Sequence, residues 1–324
     1  MDVATFRRDA QYSDGRHHDA VTFSDAEHDA QRRDFTINGL FYDPITEEVI
    51  DYVEGQEDLR RRVIRTIGDP HERLSEDKLR MLRAIRFAAT FDFAVEPATQ
   101  TAVTEMAAEI DIVSGERIGQ ELRRMLTCDG RRRAAELLLS TGLLAAVLPE
   151  AAGDRPERMI DVLARAEPIS LSLALAALLL DCGDAQQAAT ACRRIKITNR
   201  ETERAAWLVE NQTSLCGAST ALWSNVQPLL AHDGAMELVS LHAARVALGE
   251  VQSADVGYCR ERLAWPADQL DPPPLLGGDE LIRHGVPRGR IFKRLLQQVR
   301  DAQLDARIGD SQEALALVDR LLDL

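Results

Sequence analysis

The strongest local signal is Arg32-Arg33-Asp34-Phe35-Thr36-Ile37-Asn38, in which two adjacent arginines, a carboxylate and an amide surround an apolar strand or turn. Guanidinium suits phosphate because its planar fork donates two parallel hydrogen bonds and never loses its charge. Asp34 can accept a hydrogen bond from a ribose hydroxyl that a deoxyribose lacks. The bland alternative is a salt-bridged turn in which Asp34 pairs with Arg32.

A second constellation is Glu76-Asp77-Lys78-Leu79-Arg80-Met81-Leu82-Arg83-Ala84-Ile85-Arg86. On a helix Asp77 and Arg80 share a face, and Arg80, Arg83 and Arg86 repeat every three residues. A carboxylate acceptor beside an arginine donor matches a base edge with an amino group next to a bare ring nitrogen. Cytosine and adenine present that edge. Uracil and guanine present the reverse, so such a pair would accept C and A and reject U and G. Arg83 and Arg86, further along the stripe, suit phosphate. The alternative is an acidic helix N-terminus with ordinary i,i+3 ion pairs.

The elements that must position these residues change character along the chain. Residues 1–55 read as short strands and turns: Val3–Phe6, Val21–Phe23, Phe35–Tyr42 and Glu48–Val53, with a polar Gly-centred loop at residues 12–19. From about residue 56 the apolar period becomes helical, with continuous helices expected over Glu76–Ala89, Glu116–Leu126 and Arg132–Leu144. Asp271-Pro272-Pro273-Pro274 reads as a linker before a final helical unit. The expected fold class is an incomplete α+β head followed by a mostly all-α neck, body and tail. The boundaries fall at 1–60 (head), 61–128 (neck), 129–270 (body) and 271–324 (tail). A sheet of about three strands starting at residue 2 leaves edges uncovered.

The 324 residues carry a net charge of −14, which argues against a sequence-blind nucleic-acid coat. Yet basic residues outnumber acidic ones between Arg60 and Arg133, as a local phosphate groove requires. The longest apolar run, Leu171–Leu180, is too short to span a bilayer and reads as a buried core helix. No basic-then-apolar signal opens the sequence. Five scattered cysteines without a C-x-x-C pair suggest reduced thiols and a cytoplasmic protein.

The two motifs, in this order and about forty residues apart, resemble the signature blocks of class II nucleotidyltransferases, the CCA-adding enzymes and poly(A) polymerases of the bacterial type. Asp51 to Leu59 resembles the family's D-x-x-x-G-x-x-D-L segment, Ile67 to Arg73 its approach to the neck, and Ser114 to Leu122 its last shared motif. The loop ending Ser13–His17 also fits, and Gly277–Ile282 and Val299–Leu304 resemble the C-terminal unit of bacterial members.

The resemblance implies an RNA 3′-end transferase that adds CCA to tRNA from CTP and ATP and releases pyrophosphate, with poly(A) polymerase as the rival activity. Arg33 would bind phosphates, Asp34 would sit near the ribose with Asn38 beside it, and Asp77 and Arg80 would read the base. Arg83 and Arg86 would add nucleotide contacts. Glu76, Arg117 and Glu121 would be structural, the last two as an ion pair bracing the neck. Arg131, Arg132 and Arg133, with Arg288, Arg290, Lys293 and Arg294, are candidates for RNA contact.

The family's Mg²⁺ ions are held by an Asp-x-Asp pair that this sequence does not supply. Asp2 matches the position of the third carboxylate, and Glu109-Ile110-Asp111 reads as surface. Either the sequence starts at an internal methionine of a longer enzyme, or it is a shortened nucleotide- or RNA-binding remnant. The intact motifs favour the first.

Overall fold

The computed structural model describes residues 7–9, 21–23, 25–153 and 155–322, which fall into two compact units. The first unit comprises residues up to 165 with 169–209, and the second 166–168 with 210 onward. Asp2, the run Val3–Phe6 and the loop at 12–19 lie outside the described residues.

The first unit opens with small ribbons. β1 (Arg7–Asp9) pairs antiparallel with β2 (Val21–Phe23), and Asp25 caps the short helix α1 (Ala26–Gln31) by accepting from His28 N at 3.0 Å. Phe35 is fully buried against Ile64, Ala84 and Ala88 and forms a bridge to Thr66. Burying this ring turns the next three residues, Thr36–Asn38, into a 3₁₀ turn that leads into β3 (Leu40–Asp43). β3 pairs antiparallel with β4 (Glu48–Asp51).

The D-x-x-x-G-x-x-D-L segment now has a physical account. Asp51 accepts from the backbone N–H of Val53, Gly55 and Gln56 at 2.9–3.1 Å. Burial pushes its carboxyl up, but these bonds outweigh burial and hold it below its ordinary value. Gly55 starts α2 (Gly55–Arg61), and a Cβ there would lie 2.3 Å from Thr36 O, so only glycine allows this approach. Buried Asp58 accepts from Thr36 Oγ1 at 2.7 Å and from Arg65 Nε, fixing the same turn from behind.

β5 (Val63–Ile64) leads to α3 (Pro70–Glu76), α4 (Leu79–Phe91) and β6 (Ala94–Val95), which pairs parallel with β5. The helical layer continues with α5 (Pro97–Met106), α6 (Gly115–Leu126), α7 (Arg131–Ser140), α8 (Leu143–Val147), α9 (Pro156–Arg165), α10 (Leu171–Leu178), α11 (Ala185–Arg194) and α12 (Asn199–Glu210). The expected α+β head and helical remainder are present. Every residue of α10 is buried, and no helix of the described residues is long and apolar enough to cross a membrane.

Two expected helices are interrupted. Glu76–Ala89 breaks at Asp77, whose backbone is extended (φ −152°, ψ 105°) and whose Oδ1 accepts from Leu79 N at 3.1 Å. Arg132–Leu144 breaks at Gly142, which adopts a left-handed φ of 76° between α7 and α8.

In the second unit α13 (Trp223–Leu230), α14 (Ala235–Val246), α15 (Ser253–Leu263) and α16 (Ala267–Leu270) precede the proline stretch. The prolines lack N–H donors, and the carbonyls of the first two accept from side chains of a following helix. Arg300 donates to Pro272 O at 2.6 Å and Gln303 to Pro273 O at 2.7 Å. α17 (Gly278–Arg283), α18 (Ile291–Leu304) and α19 (Ser311–Leu322) close over a core that includes Leu281, Leu295, Val299 and Val318.

Candidate functional site

Because Phe35 is buried, the polar residues on either side of it are turned to one basin of about 560 Å³. Its lining brings together Arg32, Arg33, Asp34 and Asn38 from the head with Asp77, Arg80, Arg83, Phe87 and Arg117 from the neck. Five guanidiniums against two carboxylates make it strongly cationic on an otherwise acidic protein.

On the head side, Asp34 accepts from Phe35 N at 3.1 Å, Asn38 Nδ2 at 2.8 Å and Arg83 Nε at 2.6 Å. Arg32 does not pair with Asp34, as the salt-bridged-turn alternative requires. Both Arg32 and Arg33 pair instead with Asp29, one turn back on α1. Arg33 also donates to Asn38 O at 2.7 Å and lies 4.8 Å over the Phe41 ring.

On the neck side, Asp77 and Arg80 do not share a helix, because the chain breaks between α3 and α4. They still meet in the basin. Arg117 donates to Asp77 Oδ2 at 2.6 Å, while Leu79 N holds Oδ1. Arg80 donates to Arg73 O at 2.7 Å and pairs with Glu76 at 2.5 Å. Arg73 donates to Ile67 O at 3.0 Å and Gln31 O at 2.7 Å, so one side chain ties the neck to the residue before Arg32.

Three further expectations change. Arg86 does not reach the basin. Steps of three residues rotate around an α-helix by about −60° each, so Arg86 sits roughly 120° from Arg80. It pairs with Glu121 on α6 at 2.5 Å and stacks on Phe87. Arg117 and Glu121 form no pair with each other, because α6 turns Glu121 inward to Arg86 and Arg117 outward to Asp77. Arg131 is buried and donates to Leu163 O and Ala164 O at the end of α9, while Arg132 is exposed and paired with Glu136 and Asp161. Arg133 is half-buried, whereas Arg288, Arg290, Lys293 and Arg294 are exposed.

Sequence reasoning missed Asp29 and Phe87. The i,i+3 and i,i+4 spacing of Asp29 to Arg32 and Arg33 was an available signal. Phe87, edge-on to Phe35 at 5.7 Å, had only a place in the apolar period of α4.

Among the described residues no three His, Cys, Asp or Glu side chains could together hold an ion. Glu109 and Asp111 are exposed on a 3₁₀ turn, with Glu109 paired to Lys78. The described residues do not fit the two Mg²⁺ ions that the resemblance implies.

Residues 1–65 match the family model described as "Poly A polymerase head domain", and residues 92–154 match "Probable RNA and SrmB- binding site of polymerase A". The CCA-adding enzyme of Geobacillus stearothermophilus is 29% identical over 320 residues, which cover 97% of this chain and 77% of that protein. The CCA-adding enzyme of Enterococcus faecalis is 46% identical over 126 residues, 39% of this chain and 31% of that protein. The structure of the Bacillus stearothermophilus CCA-adding enzyme in complex with CTP superposes with a TM-score of 0.76 at 26% identity, covering 98% of this chain and 79% of that one. The ordered motifs, the helical neck carrying them and these likenesses make the chain similar to CCA-adding enzymes and to the poly(A) polymerase head and RNA-binding models.

Proposed function

We propose that the chain serves CCA addition, in which the 3′-hydroxyl of tRNA attacks the α-phosphate of CTP or ATP and pyrophosphate leaves. The observation that carries this reading is the basin, where a cationic wall and the Asp77–Arg80 donor–acceptor pair face one space. Arg32 and Arg33 hold the triphosphate, and Asp34, braced by Asn38 and Arg83, accepts from the ribose hydroxyl. Asp77 accepts the exocyclic amino group and Arg80 donates to the ring nitrogen of C or A. Against U or G both groups face their own kind, and each unmatched pair costs about 1–3 kcal/mol, roughly five- to a hundred-and-fiftyfold.

The Mg²⁺ ions of this chemistry have no assigned ligands among the described residues, so the residues' work is binding, orientation and base selection. The exposed Arg288, Arg290, Lys293 and Arg294 are the candidates for RNA phosphate contact, with Arg132 as a weaker one. Its five free thiols suit the cytoplasm. Poly(A) synthesis is the less favoured reading, since the basin's hydrogen-bond pattern admits C as well as A and the matched relatives are named CCA-adding enzymes.

Direct binding of the four nucleoside triphosphates tests the selection. CTP and ATP are expected to bind at least tenfold more tightly than UTP and GTP. Asp77→Ala is expected to abolish that preference, and an unchanged preference in the variant refutes the role given to Asp77. Incorporation into tRNA ending before CCA, with CTP and ATP offered separately, separates CCA addition from A-only addition. Nucleotide binding without incorporation would instead support a binding role.

A further inference from the structure

Asp29 is one turn before the two arginines, and its carboxylate is almost wholly buried, with 4% of the side chain exposed. Both of its oxygens are in use. Oδ1 accepts from Arg32 Nε at 2.8 Å and Nη2 at 2.6 Å, and Oδ2 accepts from Arg33 Nε at 3.2 Å and Nη2 at 3.0 Å. One carboxylate therefore grips the same edge, Nε and Nη2, of two neighbouring guanidiniums that both line the basin.

Two adjacent arginines repel each other and carry long, rotamer-rich side chains, so unassisted they would spread into solvent. The buried carboxylate removes both difficulties. It neutralises one of the two charges and fixes both forks before any ligand arrives, which lowers the entropy lost on binding. The Asn38 carbonyl and the Phe41 ring hold Arg33 further.

We propose that Asp29 is the positioning residue of the phosphate wall: it touches no nucleotide, and it sets how much affinity the β- and γ-phosphates add. This rests on the nucleotide reading above. A competing expectation is purely Coulombic. If Asp29 only neutralised charge, its removal would make the wall more cationic and tighten triphosphate binding.

The test compares CTP with CMP by competition binding on the intact chain, wild type against Asp29→Asn, at one salt concentration. The amide keeps the shape but offers one acceptor oxygen instead of two charged ones. CTP is expected to weaken by about tenfold while CMP changes by less than about twofold, so the advantage of the triphosphate falls. An advantage that is kept or enlarged in the variant, or equal weakening of CTP and CMP, overturns the proposal. Should Asp29→Asn fail to fold, Arg32→Lys reads the same quantity, since it keeps the charge and loses the fork that Asp29 grips. An undiminished CTP advantage there also overturns it. A wild-type chain that binds neither nucleotide overturns the nucleotide reading itself, and this proposal with it.

Discussion

The Arg86–Glu121 pair decides between two roles for the neck arginines, and Glu121→Ala is the perturbation that separates them. Arg86 has 13% of its side chain exposed and Glu121 has 4%, and their contact of 2.5 Å joins α4 to α6 inside the apolar layer. Arg124 reaches the other carboxylate oxygen only at 3.4 Å and from a largely exposed position, so it is a weak substitute. Removing Glu121 leaves a guanidinium buried without a counter-charge, a change that costs about 3–5 kcal/mol. For a cooperative unit of this size each kcal/mol lowers the melting temperature by about 2–4 °C, so the expected fall is roughly 6–20 °C. Calorimetry measures the fall, and CTP titration below the new melting temperature measures the site. Nucleotide affinity is expected to stay within about twofold, because Arg86 does not line the basin. The double change Arg86→Met with Glu121→Leu, which removes both charges and keeps the volume, should recover most of the loss. A Glu121→Ala protein that melts like wild type refutes the argument, as does an Arg86→Met protein that keeps its stability but loses CTP.

Two further outcomes follow from the fold. Gly55→Ala places a methyl group 2.3 Å from Thr36 O, so the 3₁₀ turn must move, and a destabilisation of about 1–3 kcal/mol with weaker CTP binding is expected. A wild-type denaturation midpoint would show that the approach is not tight. In the second unit, burial of His242, reinforced by nearby Arg245, lowers its pKa from 6.5 to about 4 despite its bond to Leu238 O. The unfolded chain thus takes up this proton first. The stability due to neutral His242 is complete above about pH 6.5 and is lost as pH falls towards 4, by roughly 3 kcal/mol. Urea midpoints across that range should fall less steeply in His242→Gln, and parallel curves would count against the assignment.

What the sequence made legible, and what it did not, follows from the range of the forces involved. The helical period of α4 and α6 and the Arg-Arg-Asp motif are local patterns, and they predicted the layer and the head side of the basin. The helix break at Asp77 was hidden, because Asp-Lys is compatible with a helix and the ion pair that holds Asp77 comes from Arg117, forty residues on. The inward turn of Glu121 was equally non-local. Arg131 illustrates the same limit: an arginine at the start of α7 reads as surface until Leu163 and Ala164 bring it two carbonyl acceptors. Asp29 is the reverse case. Its signal was local and visible, but a carboxylate one turn before two arginines reads as an ordinary helix ion pair until its burial is known.

Burial also divides the basin's ion pairs in a way that suits its proposed ligand. The carboxylates of the head side are ones that water barely reaches, Asp29 holding Arg32 and Arg33 and Asp34 holding Arg83 from the neck, and a buried partner is not readily exchanged. On the neck side the carboxylates are open, with 25% of the Asp77 side chain and 39% of Glu76 exposed. Exposed pairs contribute little and are easily remade, so Asp77 can leave Arg117, and Arg80 can leave Glu76, when a base edge offers better partners. CTP and ATP share their triphosphate and ribose and differ in the base. A fixed wall for the shared part and an exchangeable pair for the variable part let one site take a pyrimidine and a purine without rebuilding its phosphate contacts. On this reading Arg117 is the residue whose removal should loosen base choice while leaving triphosphate affinity intact.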